Sequence, residues 1–176
     1  MAQALPRSGS ANIVKASNNA ATLEERRTAL GTFNFAESFR HSADRLRIST
    51  LKRIPFDAPV RFLYYHSIEL YLKSYLRSHG ISAAYIKSKY QHRRFRKLEK
   101  ACAKYGLKLD DEDHDVIERI DGDNYWDARY LTTGSKYFGD LCTLARTSDS
   151  LAQFGYERLR IMGEAARKPL RSPKRH

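Results

Sequence analysis

The sequence predicts an all-α protein, an up-and-down helical bundle of about five helices. Three observations lead to this prediction. Apolar residues recur at helical spacing, capping residues and glycines bracket these stretches, and no useful run alternates apolar and polar residues as a β-strand does. The sequence also lacks the internal repeat of about 20–50 residues that a solenoid requires.

The chain is expected to form one folded unit with a tail at either end. Residues 1–21 are small and polar, and they predict a disordered segment. Residues 22–165 predict the helical bundle. Residues 166–176 combine basic side chains with prolines and predict a second disordered segment, which would either contact a polyanion or keep the chain soluble.

Two helices are predicted before the central one. A short helix from Thr22, which begins a capping box, would end at Gly31. The next helix would begin at Thr32 or Asn34 and run to about residue 47. Its core face is predicted to be an apolar stripe, which comprises Phe35, Phe39, Ala43 and Leu46.

The stretch from residue 58 to residue 79 predicts the central helix of the bundle. Asp57 is expected to cap it, Pro59 suits its first turn, and Gly80 ends it. Apolar residues cover much of its circumference, so we expect the other helices to pack around it.

Shorter helices are predicted over residues 82–90, 94–105 and 110–120. Gly106 is a natural C-terminal stop, and the aspartates at positions 110 and 111 can each supply an N-cap.

The last helix is predicted to open at Gly134 and Ser135. Its buried stripe would have near-heptad spacing, and it comprises Leu141, Leu144, Ser148, Leu151, Gly155, Leu159 and Met162. Because Ser148 and Gly155 are small, a neighbouring helix could approach closely there.

The charge balance predicts a polyanionic partner. Lysine and arginine number 32 against 20 acidic residues, which gives a net charge of +12. Cys102 and Cys142 form no C-x-x-C motif, so we expect buried thiols in a reducing compartment, the cytoplasm. Neither a metal site nor a cofactor motif is predicted, and no signal peptide or membrane span is evident.

Three phrases in order carry a resemblance to a known family. They are "YYHSIELYLKSYLRSHGIS" (64–82), "KYQHRRFRKLEKACAKYGL" (89–107) and "ARYLTTG" (128–134). With these phrases the chain resembles bacterial HEPN-domain proteins of the kind found in toxin–antitoxin and defence loci. The resemblance implies a helical bundle that often forms a homodimer. In active members of the family, a composite site at the dimer interface cuts RNA without metal.

The catalytic signature of active members is an arginine followed, after four to six residues, by a histidine late in the chain. Here Arg129 is followed by no such histidine, and the pair Arg171 and His176 lies in the tail. Inside the bundle the spacing occurs at Arg61 and His66, which are the candidate catalytic residues. The histidine could deprotonate the ribose 2′-hydroxyl or protonate the leaving oxygen, and the arginine could stabilise the charge of the phosphorane. The alternative is a histidine that is simply packed in the core.

Glu69 stands in the apolar centre of the predicted central helix, so its carboxylate needs a partner. Lys73 lies four residues later, and Arg129 is a second choice. We expect a structural ion pair of Glu69 with Lys73 or Arg129. A catalytic acid is the alternative.

Basic residues crowd the segment 87–108. The candidate nucleic-acid-binding residues are Lys87, Lys89, Arg93, Arg94, Arg96, Lys97 and Lys100. Aromatic residues alternate with them, namely Tyr85, Tyr90, Phe95 and Tyr105. Cations beside aromatic platforms suit single-stranded RNA. The alternative is a solvated helix whose aromatics face the core.

An acidic segment, residues 110–127, follows the basic one and could pair with it in the same chain or in a dimer mate. Together these features predict a nucleic-acid-associated protein of a toxin–antitoxin or defence context, with an antitoxin-type protein as a further partner and no membrane contact. A metal-independent ribonuclease that uses Arg61 and His66 across a homodimer is one alternative. A non-catalytic interaction adaptor is the other.

Overall fold

The computed structural model describes residues 28–49, 57–90, 94–121 and 140–173, which form six α-helices and no β-strand. The helices are α1 (Ala29–Ser49), α2 (Ala58–Ser78), α3 (Ala83–Lys89), α4 (Phe95–Ala103), α5 (Asp111–Arg119) and α6 (Leu141–Ile161). The all-α prediction is therefore confirmed for this part of the chain. The predicted N-terminal disordered segment and the helix from Thr22 lie outside the described residues.

The three long helices form the centre of the molecule. Helix α2 packs against α1, α4 and α6, and it contributes buried residues along its whole length, as the sequence predicts for a central helix. It runs antiparallel to α1, because Arg40 contacts Tyr71 while Arg47 contacts Tyr64. It runs parallel to α6, because Ser67 contacts Ser148 and the carbonyl of Ser78 accepts a hydrogen bond from Arg158.

The end of α2 matches the prediction, but its start differs. Gly80 has a φ of 81°, and the N–H of Ile81 donates to the carbonyl of Leu76, which closes the helix in a left-handed turn. Asp57 occupies the N-cap position, yet its side chain makes no capping hydrogen bond. Its carboxylate instead binds Arg61, one turn into the helix.

The shorter helices follow their sequence signals. Ser82 caps α3 by accepting a hydrogen bond from the N–H of Tyr85, and Asp110 caps α5 in the same way through Asp113. Gly106, with a φ of 92°, ends the turn after α4. The predicted cap at Asp110 and the predicted stop at Gly106 are confirmed, because each depends on two or three neighbouring residues.

Helix α1 departs from the prediction at its start and in its buried face. Gly31 does not end a helix; it lies in the first turn of α1, where its N–H donates to Thr28 Oγ1 over 2.9 Å. The predicted apolar face is only partly buried: Ala43 is buried and Phe39 half-buried, but Phe35 is 53% exposed and Leu46 is 40% exposed. The buried stripe shares Ala43 with that face and comprises Phe33, Ala36, Arg40, Ala43, Asp44 and Arg47.

Helix α6 begins later than predicted but buries the predicted stripe. Asp140 has an extended backbone and caps the helix through the N–H of Cys142, so the helix opens there and not at Gly134 and Ser135. The stripe is buried except for its last member, Met162, which is 45% exposed.

The two small residues of that stripe allow the close approaches that the sequence predicts. Ser148 Oγ lies 2.7 Å from Ser67 Oγ of α2. A β-carbon at Gly155 would come within 3.1 Å of the Phe33 ring of α1. Helix α6 therefore packs closely on both of its long neighbours.

One further expectation is wrong in part: Cys102 is buried as predicted, but Cys142 is exposed. Residues 163–173 form no helix or strand, and the backbone N–H of Ser172 donates to Asp149, while the disordered segment from residue 166 stays a prediction. None of the helices in the described ranges combines the length and the apolar character that crossing a membrane would need.

Candidate nucleic-acid interface and a buried charge network

The most unusual group in the interior is a network of charged side chains on the buried face of α1. Arg40 is fully buried. Its guanidinium lies 2.7 Å from Asp149 of α6 and 3.0 Å from Glu37, and its Nε donates to the Tyr71 hydroxyl over 3.1 Å. The Tyr71 hydroxyl in turn donates to Glu37. One arginine thus joins α1, α2 and α6.

A second half of the network lies one to two turns further along α1. Tyr64 of α2 donates to Asp44 over 2.7 Å and accepts a hydrogen bond from Arg47 over 3.0 Å. Asp44 also lies 3.6 Å from Arg40, which joins the two halves. We call these residues the α1 charge network: Glu37, Arg40, Asp44, Arg47, Tyr64, Tyr71 and Asp149.

The pKa shifts in the network follow from burial and pairing. Burial opposes the charge of Arg40, but its hydrogen bond to Glu37 and the nearby charges raise its pKa above the usual value. Burial and the hydrogen bond to Asp44 raise the pKa of Tyr64 well above its usual range. The arginines therefore stay charged and the tyrosines stay neutral hydrogen-bonding groups at physiological pH.

This network was not predicted from the sequence. A signal exists, since Arg40, Asp44 and Arg47 lie at helical spacing from Phe33 and Ala36. A competing stripe of larger apolar residues on the same helix hid it, and the partners Tyr71 and Asp149 are far away in the sequence.

The candidate catalytic arginine, Arg61, is engaged in an ion pair. Its Nε and Nη2 atoms lie 2.8 and 2.7 Å from the two carboxylate oxygens of Asp57. Its side chain is 8% exposed. A bidentate contact of this kind neutralises the guanidinium, so a phosphate would have to compete with Asp57 for it.

The candidate catalytic histidine, His66, lies among aromatic rings. Its ring centroid is 4.4 Å from that of Phe39, and it stacks on Phe62 at 5.9 Å. Its Nδ1 lies 3.7 Å from Glu69 Oε2, and within the described residues this buried nitrogen has no hydrogen-bond partner. The neighbours of His66 are thus an aromatic cluster and one carboxylate.

Glu69 pairs with Lys73, with 2.6 Å between Oε1 and Nζ. Burial would raise the pKa of Glu69, but His66 and Lys73 lower it to about 2. The second predicted partner, Arg129, lies outside the described residues. Glu69 is therefore a charged carboxylate that ties two turns of the central helix together.

The candidate nucleic-acid-binding residues that the structure describes are all exposed. They lie on α3, on α4 and beside them, and with two further lysines of the same segment they form what we call the basic surface: Lys87, Lys89, Arg94, Arg96, Lys97, Lys100, Lys104 and Lys108. Arg93 and the neighbouring His92 lie outside the described residues. The two lysines of α4, Lys97 and Lys100, are three positions apart, which places them on neighbouring turns of one helix.

The aromatic residues of this segment divide between two roles. Phe95 is fully buried and belongs to the core, as the alternative interpretation expected. Tyr85 and Tyr105 are 46% and 42% exposed, and Lys89 lies over the Tyr85 ring. Tyr105 also lies 5.0 Å from the His79 ring. Two tyrosine faces are thus available beside the basic surface.

The acidic segment contacts the rest of the same chain. Arg96 lies 3.0 Å from Glu118, and Arg146 of α6 contacts Asp110, Glu112 and the buried Asp113. Thr147 also donates to Asp113. These carboxylates hold α5 against α4 and α6. Within the described ranges, no group of three or more His, Cys, Asp or Glu side chains is arranged to hold a metal ion.

Comparisons of the chain with protein-family models, with curated proteins and with solved structures find no match.

Proposed function

We propose that this chain is a cytoplasmic, HEPN-like RNA-binding protein of a toxin–antitoxin or defence system, and that the basic surface is its RNA contact. The observation that carries the proposal is the exposure of every described basic side chain between Lys87 and Lys108. Exposed cations supply affinity by neutralising phosphates and releasing counterions. Tyr85 and Tyr105 offer faces on which unpaired bases can stack.

The test compares two matched double variants. In the first, Lys97 and Lys100 of α4 become glutamine; in the second, the exposed arginines Arg45 of α1 and Arg160 of α6 do. Both remove two positive charges. Binding of a fluorescent single-stranded RNA is measured over a range of salt concentrations.

The first variant should bind more weakly, and its log–log salt slope should fall by about 1.4, since each phosphate contact on a single strand contributes about 0.7. The second variant should retain the slope of the unaltered protein. Equal losses in both variants would mean that binding follows net charge alone. RNA binding whose affinity does not change with salt concentration would contradict the proposal. The absence of any RNA binding would favour the non-catalytic interaction adaptor.

We also propose that the protein is a homodimer that pairs through the aromatic face of α1. Phe35 is 53% exposed and Leu46, on the same side of α1, is 40% exposed, while Phe39 is half-buried against His66. Large apolar side chains exposed together on one helix are typical of an interaction surface. A two-fold pair would bring this face against its own copy.

Sedimentation of Phe35→Glu against Leu170→Glu tests the homodimer. Leu170 is 70% exposed and lies on the C-terminal segment, not on α1 itself. The Phe35 variant should be monomeric and the Leu170 variant dimeric. An unaltered protein that is monomeric at all concentrations would contradict the homodimer.

The metal-independent ribonuclease stays the alternative function. It is favoured by the position of His66, whose Nδ1 lacks a hydrogen bond within the described residues and which contacts the aromatic face. The pairing of Arg61 with Asp57 weighs against it. Cleavage of single-stranded RNA that survives chelation and disappears in His66→Ala would establish it. The same cleavage in His66→Ala would instead indicate a contaminating enzyme.

A further inference from the structure

The end of the described chain returns to the α1 charge network. Residues 163–173, which we call the C-terminal strap, leave α6 and reach back to its middle. The backbone N–H of Ser172 donates to Asp149 over 2.9 Å. Its hydroxyl lies 2.8 Å from Asp149 and 3.0 Å from Asp44. The next carbonyl, that of Pro173, accepts a hydrogen bond from Arg47.

These contacts have the chemistry of peptide recognition. Two carboxylates face the N–H and O–H donors of Ser172, and a guanidinium faces the following carbonyl acceptor. The backbone of a residue that precedes proline favours an extended conformation. A phosphate would suit this cleft poorly, because Asp44 and Asp149 would repel it.

The strap is held near its end by the contacts of Ser172 and Pro173, and the residues just before Ser172 are loosely packed. A groove of about 340 Å³ lies between α6 and residues 169–171, and the side chain of Leu170 is 70% exposed. Little apolar surface is therefore buried under this part of the strap. A segment held by a few polar contacts opens more readily than a packed helix does.

The charge network does not need the strap for its neutralisation. Arg40 contacts Glu37, Asp44 and Asp149 by itself. Water can take the place of Ser172 on the two carboxylates when the strap leaves. The fold can therefore exist with the cleft either occupied or open.

We propose that the cleft of Arg40, Asp44, Arg47 and Asp149 is a binding site for an extended, serine-containing peptide, and that the C-terminal strap is its occupant within the same chain. The strap leaves and returns, and a second peptide of the same chemistry displaces it. The proposal is independent of RNA binding and of the homodimer.

The experiment follows the Ser172 amide of the nitrogen-15-labelled full-length protein by NMR. This N–H is hydrogen-bonded to Asp149 when the strap is bound, so it should exchange with solvent more slowly than in a free peptide. An unlabelled peptide of residues 164–176 is then added in excess. Its counterpart with alanine in place of Ser172 is the matched control.

The serine peptide should accelerate exchange at Ser172 by about tenfold or more, while the alanine peptide should have little effect because it lacks the hydroxyl. In the protein itself, Ser172→Ala should accelerate exchange without peptide, and Leu170→Ala should not. Circular dichroism checks that both variants are folded.

Two results would overturn the proposal. If the Ser172 amide exchanges as fast as that of a free peptide in the unaltered protein, the strap does not occupy the cleft. If the amide is protected and the serine peptide has no more effect than the alanine peptide, the strap is a fixed part of the fold and the cleft does not bind peptides.

Discussion

Two regions of this molecule use the same kinds of residue in opposite ways. The α1 charge network contains arginines that are buried, with Arg40 fully enclosed and joined to carboxylates from two helices. The basic surface of α3 and α4 contains arginines and lysines that are exposed. The interior charges fix the positions of three helices, whereas the surface charges contribute little to the stability of the fold.

Whether a charged residue stabilises the fold or remains available for binding therefore depends on its partners and its exposure. A buried charge without a partner costs several kcal/mol, so each member of the network depends on the others. An exposed charge is solvated and screened, so its pairing contributes about 0–1 kcal/mol. Substitutions in the first region should therefore test stability, and those in the second should test binding.

The largest effect is expected at Arg40. Arg40→Ala leaves the buried Asp44 and the partly buried Glu37 and Asp149 without their shared cation, and it should lower the free energy of unfolding by about 3–5 kcal/mol. Arg45→Ala, on the exposed side of the same helix, should change it by less than about 0.5 kcal/mol. Urea denaturation measures both. Equal effects of the two substitutions would contradict the distinction between the regions.

The next effect is expected at Glu69, a second buried charge. Its pKa of about 2 in the folded chain lies below the ordinary value of 4.5. The resulting stabilisation, about 3 kcal/mol, is present above pH 4.5 and is lost as the pH falls toward 2.

Glu69→Gln should therefore destabilise the protein at neutral pH, and it should flatten the fall in stability between pH 4.5 and pH 2. Melting temperatures of both proteins across this range provide the measurement. The exposed Glu118→Gln, whose side chain is 60% exposed, is the control and should keep the steep fall. An unchanged melting temperature for Glu69→Gln would contradict the structural role of Glu69.

A smaller effect is expected where the network depends on close packing. Gly155→Leu places a side chain against the Phe33 ring, which a β-carbon would already approach to 3.1 Å. Overpacking of this kind costs about 1–3 kcal/mol. Because α1 must move away from α6, the contact of Arg40 with Asp149 should weaken too. Gln153→Leu, exposed on α6, should cost much less in the same denaturation experiment.

The smallest effect on stability is expected on the basic surface. The double variant with glutamine at Lys97 and Lys100 should have a free energy of unfolding within about 0.5 kcal/mol of that of the unaltered protein. Its change should appear in RNA binding alone. A large loss of stability would show that these lysines have a structural role and would blur the contrast with Arg40.

Local signals predicted the middle of the fold well. Asp110, Gly80 and Gly106 bound their helices as expected, because a cap or a left-handed glycine depends on residues within one turn. The central position of α2 followed from apolar residues around its circumference, and the close contacts at Ser148 and Gly155 followed from residue size.

The candidate site was less predictable. Periodicity placed Phe35 and Leu46 of α1 in the core and left Arg40 out. Asp57 is a residue type that commonly caps helices, but its carboxylate binds the nearby Arg61. In both cases a charged side-chain contact prevailed, made within one turn by Asp57 and across three helices by Arg40, over the apolar or capping preference.

The amino-acid sequence is enough to predict which segments become helices, where most of them end and that the chain carries an excess of positive charge, because these properties depend on composition and on residues a few positions apart. Contacts made only in the folded chain select the buried face of α1 and the place where the C-terminal strap binds. Tyr71, Asp149 and Ser172 reach Arg40 from 31, 109 and 132 residues away, and only the packing of α1, α2 and α6 brings these partners close enough to make a buried arginine stable.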